Sequence, residues 1–455
     1  MPLPPFLRRP AVPLASVALL AAVALPGLST TAVATPTRPA LPLPAVAALQ
    51  TVQIEVPSAL DAAPFDKARS VEVPTGWTVK VVSRAKKARL EIATPDDRLL
   101  VSRPEYGLIT RLTPNKRGYP TSSTLVKGLR KPHGMAFDQN TLYVAESNRI
   151  DKYTYSHGKV GRRTTVLTGL PDSQSKDLKG AYAHALKSVA VGPDHELYIS
   201  VGSTENASAS DRDLKLQRAS VLKVEKGKSG YTVFARGVRN GTGLAVAPDG
   251  ALWTAVNNRD NVTYPFHADY DGNDSDDYNK TITAYVNDHP IEPLAKLTQG
   301  RDLGWPYCNP NPDVTDGEKG TAFDYSNRPF VKDAQLNPTG SKLDCTTLPA
   351  LEQGLPAHSA PLGLAFTRTE LPGIGTGALV GVHGSWNRNP PREPEVAFFS
   401  YASGRMGGQQ TIMSGFQNSS GDRWGRPVAA IQGADGNVYV SDDYADAVYR
   451  LTPPS

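Results

Sequence analysis

Cysteine, methionine and long apolar runs are scarce in this chain. Four methionines stand against 39 glycines and 39 prolines, a balance that rules against long helices and predicts many short strands joined by turns. Lysine and arginine are scattered without basic blocks and the formal charge is only +5, so nucleic-acid binding finds no support. Beyond the N-terminal region no segment is long or apolar enough to span a bilayer. What is present is a globular balance: 455 residues, 39% hydrophobic and 20% charged, enough for one large repeat domain or two ordinary ones.

Residues 1–34 read as an export signal. Arg8 and Arg9 precede an apolar stretch over residues 12–25, Pro13 and Pro26 bound a run too short to span comfortably, and Ala32-Val33-Ala34 offers a small-residue cleavage pattern. Residues 35–65, rich in Pro, Ala and Val, read as an extended linker, leaving 66–455 as the folded unit. The protein is therefore expected outside the cytoplasm, in a periplasm or at the cell exterior, with no membrane span after cleavage. In an oxidising compartment Cys308 and Cys345 are expected to pair as a staple with no redox chemistry required; the alternative is two reduced, buried thiols.

One phrase recurs along the chain: an apolar strand, a turn rich in Pro, Asp, Gly or Asn, then a second strand opening on Leu or Val with an aromatic or branched residue. Gly243-Leu244-Ala245-Val246-Ala247-Pro248-Asp249-Gly250-Ala251-Leu252-Trp253 is the clearest of six copies. The markers Leu100, Tyr143, Tyr198, Trp253, Leu379 and Tyr439 fall at intervals of 43, 55, 55, 126 and 60 residues. Blades of four short strands need about 40 to 50 residues, so the pattern predicts an all-β, six-bladed β-propeller. The long interval holds an insertion containing both cysteines. The competing reading is a β-sandwich with similar hairpins. A propeller must close its ring, and residues 71–73 and 77–82 are expected to pair with residues 447–451.

Propeller loops on one face converge on the central axis. Polar groups precede the first strand of several repeats: His133, His184 with Lys187, Arg239-Asn240, and Trp424-Gly425-Arg426. A histidine, guanidinium and amide donors and a flat ligand are expected to meet there.

On these residues the chain resembles the glucose and sorbosone dehydrogenase family, whose soluble members use pyrroloquinoline quinone (PQQ) on a six-bladed propeller. The resemblance spans about residues 71–451 and rests on Arg239-Asn240 before Gly243-Leu244-Ala245, Asn257-Asn258-Arg259-Asp260, Leu303-Gly304-Trp305-Pro306-Tyr307-Cys308, Ala357-His358-Ser359-Ala360-Pro361, His383-Gly384-Ser385-Trp386-Asn387-Arg388, and Gly425-Arg426-Pro427. It implies that His184 is the general base that removes a hydroxyl proton as hydride leaves the same carbon, a task suited to a neutral imidazole. It implies that Arg239 and Asn240 contact the quinone and stabilise charge on its carbonyl oxygen. Lys187 and Arg426 would hold the cofactor carboxylates, with His133 close by. For each of these the plainer alternative is a loop side chain bonded to its neighbours.

The resemblance further implies calcium, held in part by the loop Asn257, Asn258 and Asp260 through hard oxygen ligands. Here the chain departs from its relatives: Asn258 replaces a frequent Gly, and an insertion follows over residues 263–285. The acidic run Asp269, Asp271, Asp274, Asp276 and Asp277 lacks the glycine and terminal Glu of an EF-hand loop and reads as solvated. Where soluble glucose enzymes place a lysine this chain has the His383–Arg388 stretch, in which Arg388 or His383 is a substitute candidate. Trp305 and Trp386 are candidates to stack on a sugar or quinone, or else to pack the insertion. The expectation is a PQQ-dependent oxidoreductase acting on an aldose or sugar aldehyde hydrate, a small-molecule substrate, and passing electrons to an external acceptor. The alternatives are a non-catalytic ligand-binding propeller and a lactonase-type hydrolase, for which no matching Glu, Asn and Asp set is present.

Overall fold

Alternating apolar residues either side of a tight turn fold as antiparallel hairpins in all six expected places. In the computed structural model, which describes residues 48–116, 118–176, 178, 180–214 and 217–454, the inner and second strands of the blades pair in chain order. They are Glu91–Ala93 with Leu99–Arg103, Met135–Asp138 with Thr141–Ala145, Val189–Val191 with Leu197–Val201, Gly243–Val246 with Leu252–Ala255, Pro361–Phe366 with Gly377–Val382, and Pro427–Gln432 with Val438–Asp442. Each hairpin is extended by two or three further strands to a four-stranded or five-stranded blade. The β-propeller and its six blades are as expected.

The core lies between blades. Ala136, Ile150, Leu167, Ile199 and Leu222 join the second blade to the third, and Leu379, Phe398, Val440 and Tyr449 join the fifth to the sixth. Inner strands of neighbouring blades approach very closely. A Cβ on Gly134 would stand 2.4 Å from the Cα of Ser188, so only glycine fits there.

Ring closure uses Thr78–Arg84, which pairs antiparallel with Ala447–Thr452, Val79 opposite Leu451 and Arg84 opposite Ala447. The expected role of residues 71–73 differs. Ser70–Pro74 turns away at Pro74 and pairs with Leu49–Gln53, Val52 opposite Val71, while Glu72 bridges to Ser414 on the outside of the fifth blade. Part of the segment read as a linker is thus strand, and Ile54 and Phe65 are buried in the core at 3% and 4% exposure. The expected export signal lies outside the described residues. No helix among the described residues is long and apolar enough to cross a membrane.

The insertion belongs to the fourth blade. It fills the gaps around the third strand Glu292–Leu297 and the fourth strand Leu351–Leu355. Cys308 opens the strand Cys308–Pro310, paired with Phe330–Lys332, and is disulfide-bonded to Cys345 across 37 positions. Buried His289 bridges the Asp313 carboxylate at 2.7 Å and the Tyr285 carbonyl at 2.8 Å. The Asp269 carboxylate accepts the amides of Gly272, Asn273 and Asp274, and that of Asp277 accepts those of Tyr270 and Asp271, so these acids shape a turn. Replacing both cysteines by serine is expected to remove about 3 to 4 kcal/mol of stability by the chain-entropy argument. Denaturant unfolding of reduced and oxidised wild type beside the double variant measures it.

Candidate active site

Because each blade is antiparallel, the residues entering its first strand lie beside those leaving its second. One mouth of the ring therefore receives two loops per blade. His184 precedes the inner strand of the third blade, and Ser203 follows that blade's second strand. His184 Nδ1 lies 2.8 Å from Ser203 Oγ and 3.1 Å from the Ser203 carbonyl. The Ser203 hydroxyl donates its own proton to the Glu205 carbonyl at 2.7 Å, so both neighbours of Nδ1 accept. Nδ1 must carry the proton, which leaves the lone pair on Nε2. No hydrogen bond among the described residues reaches Nε2. Burial, then the positive charge of Arg239, lower the His184 pKa to about 3. Gly202 permits this packing: a Cβ there would sit 2.6 Å from His184 Cβ and 3.1 Å from Asn240 Oδ1.

The lowered pKa makes a pH prediction. A histidine that gives up its proton this readily is neutral at every pH above about 3, so kcat/KM is expected to show no acid limb near the ordinary imidazole value of about 6.5. A midpoint there that disappears on His184→Gln would mean that the imidazole is solvated.

Arg239 and Asn240 enter the inner strand of the fourth blade beside His184. Arg239 is 3% exposed, and burial lowers its pKa. Its Nε and Nη2 reach the carbonyl and side-chain oxygens of Asn206 at 3.2 and 3.0 Å, Nη1 reaches the Asn257 carbonyl at 3.0 Å, and Nη2 lies 3.4 Å from Asp260 Oδ2. These bonds leave one Nη1 hydrogen uncommitted. The Asn240 amide has no hydrogen-bond partner among the described residues although Asn240 is 7% exposed. Its nitrogen and oxygen keep contact with solvent, which leaves them open to a ligand.

His358, entering the fifth blade, donates from Nε2 to the Val286 carbonyl at 2.6 Å and faces Asp260 Oδ1 from Nδ1 at 3.5 Å. Burial opposes a charge on it, but Asp260, the Val286 carbonyl and Glu292 outweigh burial and raise its pKa. Glu292 is buried beneath, its carboxylate accepting the Asn258 amide, and desolvation raises its pKa to about 7. Of the three expected calcium ligands, the Asn257 carbonyl and the Asp260 carboxylate face Arg239 and His358. The Asn258 side chain turns away to donate to the Ile291 carbonyl at 2.9 Å. The backbone carbonyls of Asn258 and Arg259 accept no hydrogen bond among the described residues.

The remaining expected residues occupy the rest of the mouth in different ways. Arg426 donates from Nε and Nη2 to the carbonyls of His383 and Gly384 at 2.8 and 3.0 Å. Asp443 holds both His383 Nε2 at 2.8 Å and Arg89 Nη1 at 2.7 Å. His133 is fully buried with both ring nitrogens unpartnered, and desolvation drives its pKa well down. Lys187 is fully buried too, its ammonium 2.6 Å from the Ala185 carbonyl and 4.6 Å from the centre of the Tyr182 ring. Burial lowers its pKa to about 7. Arg388 is tied to the insertion, 3.1 Å from both the Asn287 carbonyl and Asp288. Trp386 is 76% exposed and stands beside Asn387, whose amide lies 3.4 Å from Asn261 at the rim. Trp305 is buried, its indole N–H 3.1 Å from the Asn206 carbonyl, so it props the loop that holds Arg239.

Asn206, Ser203, Asp443 and Arg89 carry much of this geometry and were not singled out by sequence. All but Arg89 lie in loops leaving a second strand, and that position was the available signal.

The six-bladed propeller thus gathers a neutral histidine, a buried guanidinium and an amide without a hydrogen-bond partner among the described residues at one mouth. The model of the TrAA12-like family matches residues 71–453, and the chain belongs to that family. Similar solved structures include the holo form of the pyranose dehydrogenase PQQ domain from Coprinopsis cinerea, 20% identical, covering 84% of this chain and 97% of that one with a TM-score of 0.66. A calcium structure of Trichoderma reesei Carbohydrate-Active Enzymes Family AA12 is 19% identical, with coverages of 84% and 96% and a TM-score of 0.66. The apo soluble aldose sugar dehydrogenase of Escherichia coli is 15% identical, with coverages of 83% and 99% and a TM-score of 0.51. An uncharacterized protein of Borreliella burgdorferi is 23% identical over 412 residues, 87% of this chain and 94% of that one. These structural likenesses establish the shared fold.

Proposed function

We propose that the protein is a sugar oxidoreductase that removes hydride from a sugar carbon bearing a hydroxyl, an aldose or a sugar aldehyde hydrate, with PQQ as the bound cofactor. The observation that carries this reading is the bare Nε2 lone pair of His184 beside the unpartnered amide of Asn240 and the buried guanidinium of Arg239. When bound, the quinone supplies a two-electron acceptor. His184 takes the hydroxyl proton at Nε2, and the Ser203 oxygens on Nδ1–H hold the ring in the tautomer this requires. Asn240 and the free Nη1 hydrogen of Arg239 form a donor pair for an oxygen that gains negative charge, in a site where burial strengthens each bond. Asp260 fixes Arg239 and favours the charged form of His358.

The donor set fits a planar, polyanionic cofactor. Arg239 and Arg426 supply fixed positive charge at the mouth, and His358 is favoured toward its charged form, while Lys187 supports the floor and Arg388 the rim. Trp386 offers an exposed indole face for a sugar or the cofactor. Calcium would find hard oxygen ligands at the free carbonyls of Asn258 and Arg259. Electrons then pass to an external acceptor. Export is supported by the Cys308–Cys345 disulfide, and the folded unit corresponds to the propeller.

The test is dye reduction by the purified protein incubated with PQQ and calcium, across aldoses, ketoses and polyols. Turnover on one of these classes supports the reading. Absence of turnover together with an unchanged quinone spectrum ends it.

A further inference from the structure

Glu91 opens the inner strand of the first blade and is 7% exposed, yet neither carboxylate oxygen has a hydrogen-bond partner. It lines an axial cavity of about 50 Å³ together with Gly134, Ser188, Thr242 and Gly363. It also lines a recess of about 470 Å³ that opens at the end of the inner strands away from the candidate active site, which gives the cavity an entry path. No basic side chain answers it. Arg89, two residues earlier, is committed to Asp443, and Arg368, lining the recess and not the axial cavity, is the one cationic residue on either wall.

The two side-chain hydroxyls that share the cavity with Glu91 have their protons spent elsewhere. Ser188 Oγ donates to the Thr242 carbonyl at 2.6 Å, and Thr242 Oγ1 donates to the Leu362 carbonyl at 2.9 Å. Neither hydroxyl offers a hydrogen to Glu91, and both keep lone pairs. Each inner strand ends its sheet, so alternate residues along it turn both an amide and a carbonyl without a ladder partner to the axis, and the carbonyls can serve a cation. A buried carboxylate among carbonyl and hydroxyl oxygens is a ligand set for a hard cation.

We propose that the axial cavity binds one monovalent metal cation, sodium or potassium, held by the Glu91 carboxylate and oxygens of the inner strands. One carboxylate balances a single positive charge, whereas a divalent ion would leave excess charge in a water-poor channel. A cavity of about 50 Å³ excludes an organic ammonium of any bulk. The cation adds a tie between inner strands to the hydrogen bonds that already cross between blades there, from the Gly134 amide to the Lys187 carbonyl, Ser188 to Thr242 and Thr242 to Leu362.

The test is thermal unfolding of the purified full chain in sodium, potassium, choline and calcium chloride at equal ionic strength, beside Glu91→Gln. Wild type is expected to melt several degrees higher in sodium or potassium than in choline, with the gain growing with the logarithm of concentration and vanishing in Glu91→Gln. The infrared difference spectrum of wild type minus Glu91→Gln supplies a second readout: at neutral pH the Glu91 carboxyl is expected to be ionised in the sodium or potassium salt and protonated in choline. Equal melting in all monovalent salts, a Glu91-dependent gain in calcium alone, or a protonated carboxyl in every salt would overturn the proposal.

Discussion

Replacing His184 by alanine is expected to lower kcat by about 100-fold to 10,000-fold, the contribution of a general base, while PQQ still binds. The reason is the division of labour at the mouth. His184 contributes a lone pair at Nε2 and no charge at working pH, since its pKa is lowered to about 3, whereas Arg239 and Arg426 contribute the fixed charge and Asp260 favours the charged form of His358. Ser203→Ala is expected to cost less, because the Ser203 carbonyl at 3.1 Å still orients Nδ1–H. Steady-state kinetics with a quinone titration on each variant separate the two roles. A His184→Ala protein with wild-type kcat would remove the imidazole from the chemistry, and one that no longer binds quinone would make it a cofactor ligand instead.

Deleting the chain from Ala447 onward is expected to abolish cooperative unfolding. Ala447–Thr452 is the third strand of the sixth blade and lies between Val438–Asp442 and the N-terminal strand Thr78–Arg84. Ala447, Val448, Tyr449 and Leu451 are completely buried, and each large side chain among them contributes about 1.5 to 3 kcal/mol. Their loss exposes two strand edges at once and opens the ring. Differential scanning calorimetry of the truncated chain checks this; a sharp transition at the wild-type temperature would mean that closure lies elsewhere.

Much of the architecture was legible because a blade's first hairpin is the one part repeated in composition. Strands such as Leu197–Val201, buried throughout, announce themselves by apolar runs beside Pro-Asp turns. The outer strands are half exposed and uneven, as in Thr121–Lys127, and carry no such mark. Leu49–Gln53 was missed for the same reason: it alternates only between exposed and half-buried residues, in a stretch whose Pro and Ala content suggested an extended linker. Pairing of residues 71–73 with the C-terminal strand failed at Pro74, where the chain turns before Trp77 and leaves Ser70–Pro74 for a different partner.

For the site, the positions entering each inner strand were readable, and His184, Arg239 and Asn240 do share one mouth. What sequence could not supply was the second loop of each blade. Ser203 fixes the tautomer of His184, Asn206 cradles Arg239, and Asp443 joins His383 to Arg89, all across distances in the chain that no local pattern encodes. Nor does residue type reveal direction. Lys187 and Arg388 have the right charge at the right place, yet Lys187 turns its ammonium onto Ala185 and Arg388 reaches for Asn287 and Asp288.

An absorbance titration of the protein with PQQ in the presence of calcium, wild type against Arg239→Ala, bears most directly on the claim that these loops build a quinone site. Saturable binding at one equivalent by wild type, weakened by tenfold or more without Arg239, is the predicted outcome. A flat titration, or identical curves for the two proteins, would contradict it.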